Sequence, residues 1–369
     1  MGRSLVFSTG ILLRFSQVPR SISPINHPNQ CQVQRFRDTC QNVYQRIGYL
    51  NTEQTRRHCT KAVLSEREYP TMGAKSTGPI PPNELIEVVV TAAKTGAQVV
   101  MDAVNKPRSI TYKGLTDLVT VTDKMSEAAI LEVVRKKFGD HLILGEEGGI
   151  IGDALSDYLW CIDPLDGTTN FAHGYPSFAV SVGVLFQGNP TAAAVVEFVG
   201  GPMCWNTRMF SATAGGGAFC NDQKIQVSGT NQVERSLLVT GFGYEHDDPW
   251  ATNMDLFKEF TDVSRGVRRL GAAAVDMCHV ALGIVEAYWE YRLKPWDMAA
   301  GVLIVEEAGG TVTRMDGRKF CVFDRSVLVS NSLLHPKLLE RIAPATEKLM
   351  DKGIDFSLWY KPENYHTDL

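Results

Sequence analysis

The stretch Trp160–Phe171 reads WCIDPLDGTTNF, an apolar run that ends in Asp163 and Pro164 and is followed shortly by a second carboxylate, Asp166. Like charges held close together repel, so a positive charge is expected between these carboxylates. Pro164 fixes φ and has no N–H, so the chain turns sharply there and can aim both carboxylates and the Leu165 carbonyl at one point. Such hard oxygen ligands suit Mg²⁺ or Mn²⁺, although the motif alone is equally typical of a capped turn with solvated carboxylates.

The residues that follow supply donors for an anion. Gly167, Thr168 and Thr169 lie at the expected start of a helix. Glycine lets a backbone approach a ligand closely, and exposed N–H groups at a helix start bind phosphate oxygens. One short stretch therefore predicts metal ligands, an anion cradle and a hydroxyl group.

Two further acids follow strand-like runs elsewhere in the chain. Glu146 comes after HLILG (141–145), and Asp297 stands in PWDMAAG at an expected helix start. Each has a plainer alternative, because Glu146 could be a surface loop acid and Asp297 an N-cap acid that contributes only ~1 kcal/mol. Four acids at strand ends or helix starts nevertheless predict ligands that converge.

The order of helix and strand patterns predicts a layered protein of class α/β (α+β layered), in which helix and sheet layers alternate. A helix capped by Asn83 is expected to run to about Val104, and a second helix follows the polar segment that ends at Asp123. The remaining expected strands are 141–145, 158–162, 178–186, 192–198, 208–213, 237–240, 285–291, 311–314 and 326–330. The remaining helices are 251–262, 272–283, one from Asp297 to about Ala308, and 335–349.

Composition limits the classes of function. The chain has 369 residues, 44% hydrophobic and 21% charged, which is ordinary for a globular protein. Residues 76–369 carry a formal charge of −11, from 26 basic and 37 acidic residues, and so predict neither a nucleic-acid partner nor a membrane partner. None of the eight cysteines forms a Cys-x-x-Cys pair, which favours scattered thiols in a reducing compartment.

The N-terminal segment differs from the rest. Residues 1–60 hold eight Arg, no Lys and only two acids. Composition that is rich in Arg and poor in acids is typical of an organelle transit peptide, the alternative being a tail with no address. We therefore predict an organelle transit peptide and linker over 1–75.

The motifs DPLDGTTNF, WDMAAG, GEE and DLVTVTD, in their order along the chain, resemble those of the inositol monophosphatase family. The resemblance covers about Asn83 to Ile342. The Arg-rich N-terminus and the tail DFSLWYKPENYHTDL further resemble the plant-type plastid phosphatases of this family. This resemblance implies the chloroplast (plastid stroma) as the destination, with the mitochondrion as the alternative. The resemblance implies an αβαβα sandwich of the inositol monophosphatase/fructose bisphosphatase type. It also implies one phosphatase domain over 76–369, with a metal-binding half at about 83–235, an α/β half at about 236–345 and a tail at 346–369.

By motif, the resemblance implies a role for each candidate residue. The metal ligands, for two or three Mg²⁺ ions with Mn²⁺ as an alternative, would be Glu146, Asp163, Asp166, Asp297 and the Leu165 carbonyl. Thr168 with Glu146 would orient and deprotonate a water molecule at the metal, and Asp123 would support Thr168 or a bound water. The substrate would contact Glu146, Leu165, Asp166, Asp297, the N–H groups of Gly167 and Thr168, and, on its alcohol part, Gly271, Ala272, Ala273 and Glu290.

The function so implied is hydrolysis of inositol monophosphate to myo-inositol and phosphate, by in-line attack of water and without a phosphoenzyme. A lithium-sensitive homodimer is expected from the resemblance. One alternative is a phosphatase of the same fold that acts on another small ester: L-galactose 1-phosphate, histidinol phosphate, fructose 1,6-bisphosphate or a 3′-phosphonucleotide. An alternative of another class is a non-catalytic interaction subunit, although no expected ligand is missing from the motifs.

Overall fold

The computed structural model describes residues 69, 72, 76–112, 114 and 118–367. Apart from Tyr69 and Met72, the predicted transit segment lies outside the described residues. The described residues form seven α-helices: α1 (Pro82–Ala103), α2 (Val121–Lys137), α3 (Thr168–His173), α4 (Asp248–Val263), α5 (Ala273–Ala281), α6 (Pro295–Glu307) and α7 (His335–Asp351). None of them is long and apolar enough to cross a membrane.

Eight strands form the larger sheet, in the spatial order β10-β9-β8-β7-β6-β5-β3-β4. The chain enters this sheet after a short antiparallel hairpin, β1 (Ile110–Tyr112) with β2 (Leu118–Thr120). The sheet strands are β3 (Leu142–Gly145), β4 (Gly149–Ile151), β5 (Tyr158–Asp166), β6 (Phe178–Phe186), β7 (Asn189–Val199), β8 (Asn206–Thr213), β9 (Gly217–Cys220) and β10 (Gln223–Lys224). Strand β5 is fully buried between β3, to which it is parallel, and β6, to which it is antiparallel.

The smaller sheet has the order β12-β11-β13-β15-β14. Its strands are β11 (Leu237–Thr240), β12 (Gly266–Arg268), β13 (Ala287–Tyr291), β14 (Thr311–Thr313) and β15 (Ser326–Ser330). Parallel pairs join β11 to β12 and to β13, and antiparallel pairs join β15 to β13 and to β14.

Five layers follow from the way the two sheets bury their faces. Because side chains alternate across a strand, β5 sends Trp160 and Ile162 to one face of the larger sheet and Leu159 and Cys161 to the other. Helices α1 and α2 cover the first face. Helices α5 and α6 fill the space between the two sheets, and α4 and α7 cover the far face of the smaller sheet. The predicted αβαβα layering is confirmed.

Several predicted helix starts were wrong by a few residues. Asn83 does not cap α1, because Pro82 occupies the first turn and Pro81 is the N-cap residue. Proline is favoured there, since its fixed φ suits a helix and its missing N–H would have had no partner. Helix α2 begins at Val121, before Asp123, and α6 begins at Pro295, before Asp297. In both, the acid is the third helical residue, and its carboxylate accepts the backbone N–H of the N-cap residue, Thr120 or Lys294. A search for acids at the N-cap position itself does not identify these residues.

Residues just before α1 belong to the folded domain. Met72 is only 3% exposed, and its N–H donates to Glu306 Oε1 at 2.7 Å. The ring of Tyr69 lies edge-on to His335, with 4.9 Å between ring centroids. Farther along, the Thr77 carbonyl accepts the Tyr158 hydroxyl at 2.7 Å. These contacts tie the residues before α1 to α6, to α7 and to β5 of the larger sheet.

We expect a chain that begins at residue 76 to be less stable than one that begins at residue 66. The shorter chain loses the burial of Met72, its hydrogen bond to Glu306 and the Tyr69 contact, about 2–4 kcal/mol together. Urea unfolding of the two chains measures the difference. Met72→Ala in the longer chain should reproduce much of the loss, and equal stability of the two chains would contradict this account.

The C-terminal tail is also packed against the domain. Phe356 stacks on Tyr291, and Arg325 lies over the ring of Trp359. Tyr365 is 1% exposed, and its hydroxyl accepts the N–H of Gly188 at 3.0 Å in the turn between β6 and β7. The tail therefore crosses from the smaller sheet to the end of the larger one.

His335, the first residue of α7, is buried as a neutral imidazole. Its Nε2 lies 2.9 Å from Thr313 Oγ1 and its Nδ1 lies 2.7 Å from Ser330 Oγ. The Thr313 hydroxyl donates to the Arg314 carbonyl, so it accepts from Nε2–H, and Nδ1 is left to accept from Ser330. Burial lowers the pKa of His335 to about 3.

We expect stability to fall as the pH drops below about 6.5, because the unfolded chain then takes up a proton that buried His335 refuses until about pH 3. The loss is about 1.4 kcal/mol per pH unit within that window. Urea midpoints of the wild type and His335→Gln, measured from pH 7.5 to 4, test it. Parallel pH profiles for the two proteins would count against this assignment.

Candidate active site

The site lies where β3 and β5 end. Because the two strands are parallel, the residues that follow them meet at one edge of the sheet. The Glu146 N–H donates to the Ile162 carbonyl at 3.1 Å, which places Glu146 beside Asp163. The pairing of β5 with β6 is irregular between Asp163 and Asp166, at the turn that Pro164 was expected to make. The Pro164 carbonyl in that turn accepts the Ser126 hydroxyl of α2 at 2.9 Å.

Asp166 joins this edge to the first turn of α5. Its two carboxylate oxygens accept the N–H groups of Ala273, at 3.1 Å, and Ala274, at 2.7 Å. An acid at a helix N-terminus satisfies N–H groups that have no partner within the helix. Asp166 thereby brings the segment Gly271–Ala273 to the end of β5.

Asp123 and Thr168 form a hydrogen-bonded pair beside the turn. Asp123 Oδ1 lies 3.0 Å from the Thr168 hydroxyl, which lies equally far from the Leu165 carbonyl. The other oxygen, Oδ2, accepts the N–H of Thr120 at 2.9 Å and its hydroxyl at 2.5 Å. Burial raises the pKa of Asp123 to about 6, although these hydrogen bonds act in the opposite direction.

The four predicted acid ligands lie close enough to affect one another. Burial raises the pKa of Asp163 well above its usual range, and the charges of Glu146, Asp166 and Asp297 raise it further. Burial, with the charges of Asp297 and Glu146, raises the pKa of Asp166 to about 8, against the effect of its hydrogen bonds to Ala273 and Ala274. The repulsion expected from the sequence is therefore present in the folded chain, and it includes acids from three separate segments.

The donor set fits a hard divalent cation. Four carboxylates and the Leu165 carbonyl are oxygen donors, and a cation among them would remove the repulsion that raises their pKa values. Within the described residues, no three His, Cys, Asp or Glu side chains are already arranged so that they could hold an ion. Mg²⁺ is compatible with this, because it is usually held by one or two carboxylates together with waters and substrate phosphates.

Glu290 lies on the smaller sheet, in the middle of β13. It is 8% exposed and accepts a hydrogen bond from the Tyr288 hydroxyl. Burial raises its pKa to about 7, the Tyr288 hydrogen bond lowers it, and the charge of Asp297 raises it, so this acid also borders the group of carboxylates. Gly241 leaves the room that Glu290 needs, because a Cβ there would lie 1.8 Å from Glu290 Oε2.

Sequence inspection missed several residues that support the site. Glu127 lies on the buried face of α2, four residues after Asp123, and accepts the N–H of Glu147 at 2.9 Å. That spacing, combined with Asp123, could have identified it. Asp276 in α5 is 1% exposed, and its Oδ1 has no hydrogen-bond partner. Asn170, inside the quoted motif, bridges α3 to the segment before α5.

The family model for the inositol monophosphatase family matches residues 82–351. The chain belongs to the inositol monophosphatase family. It is therefore a phosphatase, and the expectation of a hydrolase rather than a non-catalytic subunit is confirmed.

Known relatives agree with this assignment. The chain is 75% identical over 375 aligned residues to the chloroplastic phosphatase IMPL1 of Arabidopsis thaliana, with all of both chains covered. It is 39% identical to an inositol-1-monophosphatase of Synechocystis, over 70% of this chain and 88% of that one. A solved inositol monophosphatase structure from Anabaena superposes with a TM-score of 0.63 at 37% identity, covering 72% of this chain and 96% of that chain.

We expect Thr168→Val to lower turnover about 100-fold or more, because it removes the hydroxyl between Asp123 and Leu165 and keeps the shape of the side chain. Initial rates under saturating substrate measure it. Thr346→Val is the matched control, since it removes a buried hydroxyl from α7 on the far side of the smaller sheet. The control should lose stability and keep its turnover. If the two variants had equal activity, the assignment of Thr168 to the active site would be wrong.

Proposed function

We propose that this phosphatase is a Mg²⁺-dependent phosphomonoesterase that hydrolyses inositol monophosphate to myo-inositol and phosphate. The observation that carries the proposal is the mutual repulsion of Glu146, Asp163, Asp166 and Asp297, buried or half-buried at one sheet edge beside Thr168. Such a cluster of acids is unfavourable unless cations bind it, and the reaction that cations most need to assist is attack on an anionic ester.

Glu146, Asp163, Asp166, Asp297 and the Leu165 carbonyl are the proposed ligands for two or three Mg²⁺ ions. When bound, the cations neutralise the ester, lower the pKa of water and stabilise the departing oxygen. Asp166 has both oxygens hydrogen-bonded to backbone N–H groups of α5, which fixes the plane of its carboxylate. The Lys294 N–H donates to Asp297 Oδ2 at 2.7 Å and orients that carboxylate in the same way.

Thr168 and Glu146 are the proposed groups that orient the attacking water and take its proton. The Thr168 hydroxyl has two acceptors within 3.0 Å, Asp123 Oδ1 and the Leu165 carbonyl, so its rotation is restricted. A hydroxyl that donates to Asp123 keeps its lone pairs for the proton of a water molecule. Water then attacks phosphorus in line with the bond to the leaving alcohol, the P–O bond breaks, and the alcohol oxygen gains a proton.

The ester is proposed to lie between residues at the end of β5 of the larger sheet and residues carried by α5 and by β13 of the smaller sheet. The N–H groups of Gly167 and Thr168 face the phosphate, and Gly271, Ala272 and Ala273 with Glu290 receive the alcohol. Glu290 uses one oxygen for the Tyr288 hydroxyl, and its other oxygen can accept from substrate hydroxyls. A carboxylate at this position favours a polyhydroxy alcohol over one that carries a second phosphate.

We further propose the plastid stroma as the location, supported by the Arg-rich N-terminus and by a relative named as chloroplastic over its full length. A mitochondrial address has no support from that relative. A homodimer and sensitivity to lithium remain predictions from the family resemblance, to be measured by light scattering and by inhibition with LiCl.

The test uses residues 66–369, so that the contacts of Tyr69 and Met72 are kept. Phosphate release is measured from inositol 1-phosphate, L-galactose 1-phosphate, histidinol phosphate, fructose 1,6-bisphosphate and a 3′-phosphonucleotide, each with Mg²⁺, Mn²⁺ or EDTA. We expect the highest kcat/KM on inositol 1-phosphate and loss of activity in EDTA that Mg²⁺ restores.

Asp163→Asn and Asp297→Ala should abolish turnover while the folded state is kept, since removing one buried negative charge relieves repulsion. Circular dichroism and urea unfolding check the fold. Full activity in EDTA would reject the metal mechanism, and a higher kcat/KM on another ester would replace inositol monophosphate by that substrate.

A further inference from the structure

Two separate contacts join the end of β5 and the residues that follow it to the start of α5 and the residues that precede it. The first is Asp166, which accepts the N–H groups of Ala273 and Ala274. The second is Asn170, four residues later in α3. Its Nδ2 lies 2.6 Å from the Ser177 carbonyl and 2.7 Å from the Leu270 carbonyl, with the Gly271 carbonyl at 3.4 Å.

These distances require an amide at position 170. The NH₂ group of asparagine carries two hydrogens, which match the two short contacts to Ser177 and Leu270. A carboxylate in the same place would bring a negative oxygen against the same carbonyl oxygens, with no hydrogen between them. Asn170 is therefore a donor to backbone groups of two loops that are far apart in sequence.

Two glycines, Gly167 and Gly271, let the backbone segments around these contacts lie close to one another. Gly271 has φ +80°, a left-handed conformation that favours glycine. Gly167, with φ +85°, packs on the same segment, since a Cβ there would lie 2.9 Å from the Ser177 carbonyl and 3.2 Å from the Gly271 carbonyl. Displacing Leu270 and Gly271 would therefore shift the alcohol side of the pocket relative to the phosphate side.

We propose that Asn170 is a positioning residue that sets the distance between the phosphate part and the alcohol part of the substrate pocket. It acts through Leu270 and Gly271 and does not itself touch the reacting atoms. The inference rests on the proposed role of Gly271–Ala273 in holding the alcohol. Asp166 makes a similar connection but is also a proposed metal ligand, so a substitution at Asp166 would affect both metal binding and the position of this segment. A substitution at Asn170 tests the position of the segment without removing a proposed metal ligand.

The test compares two esters that share the phosphate and differ in the alcohol. One is the polyol ester on which the wild type is most active, and the other is p-nitrophenyl phosphate, which has no hydroxyls for this segment to hold. We expect Asn170→Asp to raise the KM for the polyol ester about tenfold or more. The kcat/KM on p-nitrophenyl phosphate should stay within about twofold of the wild-type value. The ratio of kcat/KM on the polyol ester to kcat/KM on p-nitrophenyl phosphate therefore falls.

Asn170→Ala removes the donors without adding a charge. Its ratio of kcat/KM values on the two esters should therefore lie between the ratio of the wild type and that of Asn170→Asp. Asn331→Asp is the matched control. That asparagine is 1% exposed, and its Nδ2 donates to the Thr230 carbonyl at 2.7 Å and to Ser228 Oγ at 3.0 Å, away from the proposed pocket. Asn331→Asp should lower the urea midpoint and leave the ratio unchanged.

An unchanged ratio in both Asn170 variants, whether activity is kept or falls equally on the two esters, would overturn the proposal. If Asn170→Asp does not fold, Asn170→Ala decides alone, by the same ratio. Failure of the proposed function is a separate result: the wild type would then prefer an ester other than inositol 1-phosphate, and the ratio would be measured with that ester.

Discussion

Carboxylates that are buried together repel one another, and the fold has to hold such carboxylates together at the end of β5. Asp163 and Asp166 cannot move apart, because both belong to a strand that is buried along its whole length. Glu146 is held beside them by parallel pairing of β3 with β5, and the carboxylate of Asp297, in the first turn of α6, is oriented by the N–H of Lys294. The fold thus maintains an electrostatic cost that burial makes large, and the proposed binding of divalent cations would offset that cost.

The elements around the acids orient them through hydrogen bonds from backbone N–H groups and from threonine hydroxyls. The backbone N–H groups of α5 bind Asp166, the Lys294 N–H binds Asp297, and Thr120 and Thr168 bind Asp123. Each of these donors fixes a carboxylate without neutralising it. The layers behind the acids hold these donors, and with them the acids, in place.

The helix layer between the two sheets connects the residues of the site that come from the larger sheet with those that come from the smaller sheet. Helix α5 receives Asp166 from the larger sheet at its first turn, and it packs against β13 of the smaller sheet, which carries Glu290. In the proposed function, chemistry on the phosphate and recognition of the alcohol would therefore be provided by different sheets. Asn170 and Asp166 connect these parts, and by the proposed role of Asn170 a change in substrate preference can come from a residue that does not contact the substrate.

The sequence by itself determined the elements and the chemical types at the site. Local patterns predicted β5, β6, β11, β15 and the layered class, and the carboxylates of WCIDPLDGTTNF predicted an acidic oxygen site, because strand periodicity and ligand chemistry are local properties. Only the tertiary structure decided that Asp123 faces Thr168, that Glu127 turns inward and that Asn170 reaches Leu270. Those contacts join residues from separate elements, so their direction depends on how sheets and helices pack, which short-range spacing does not encode.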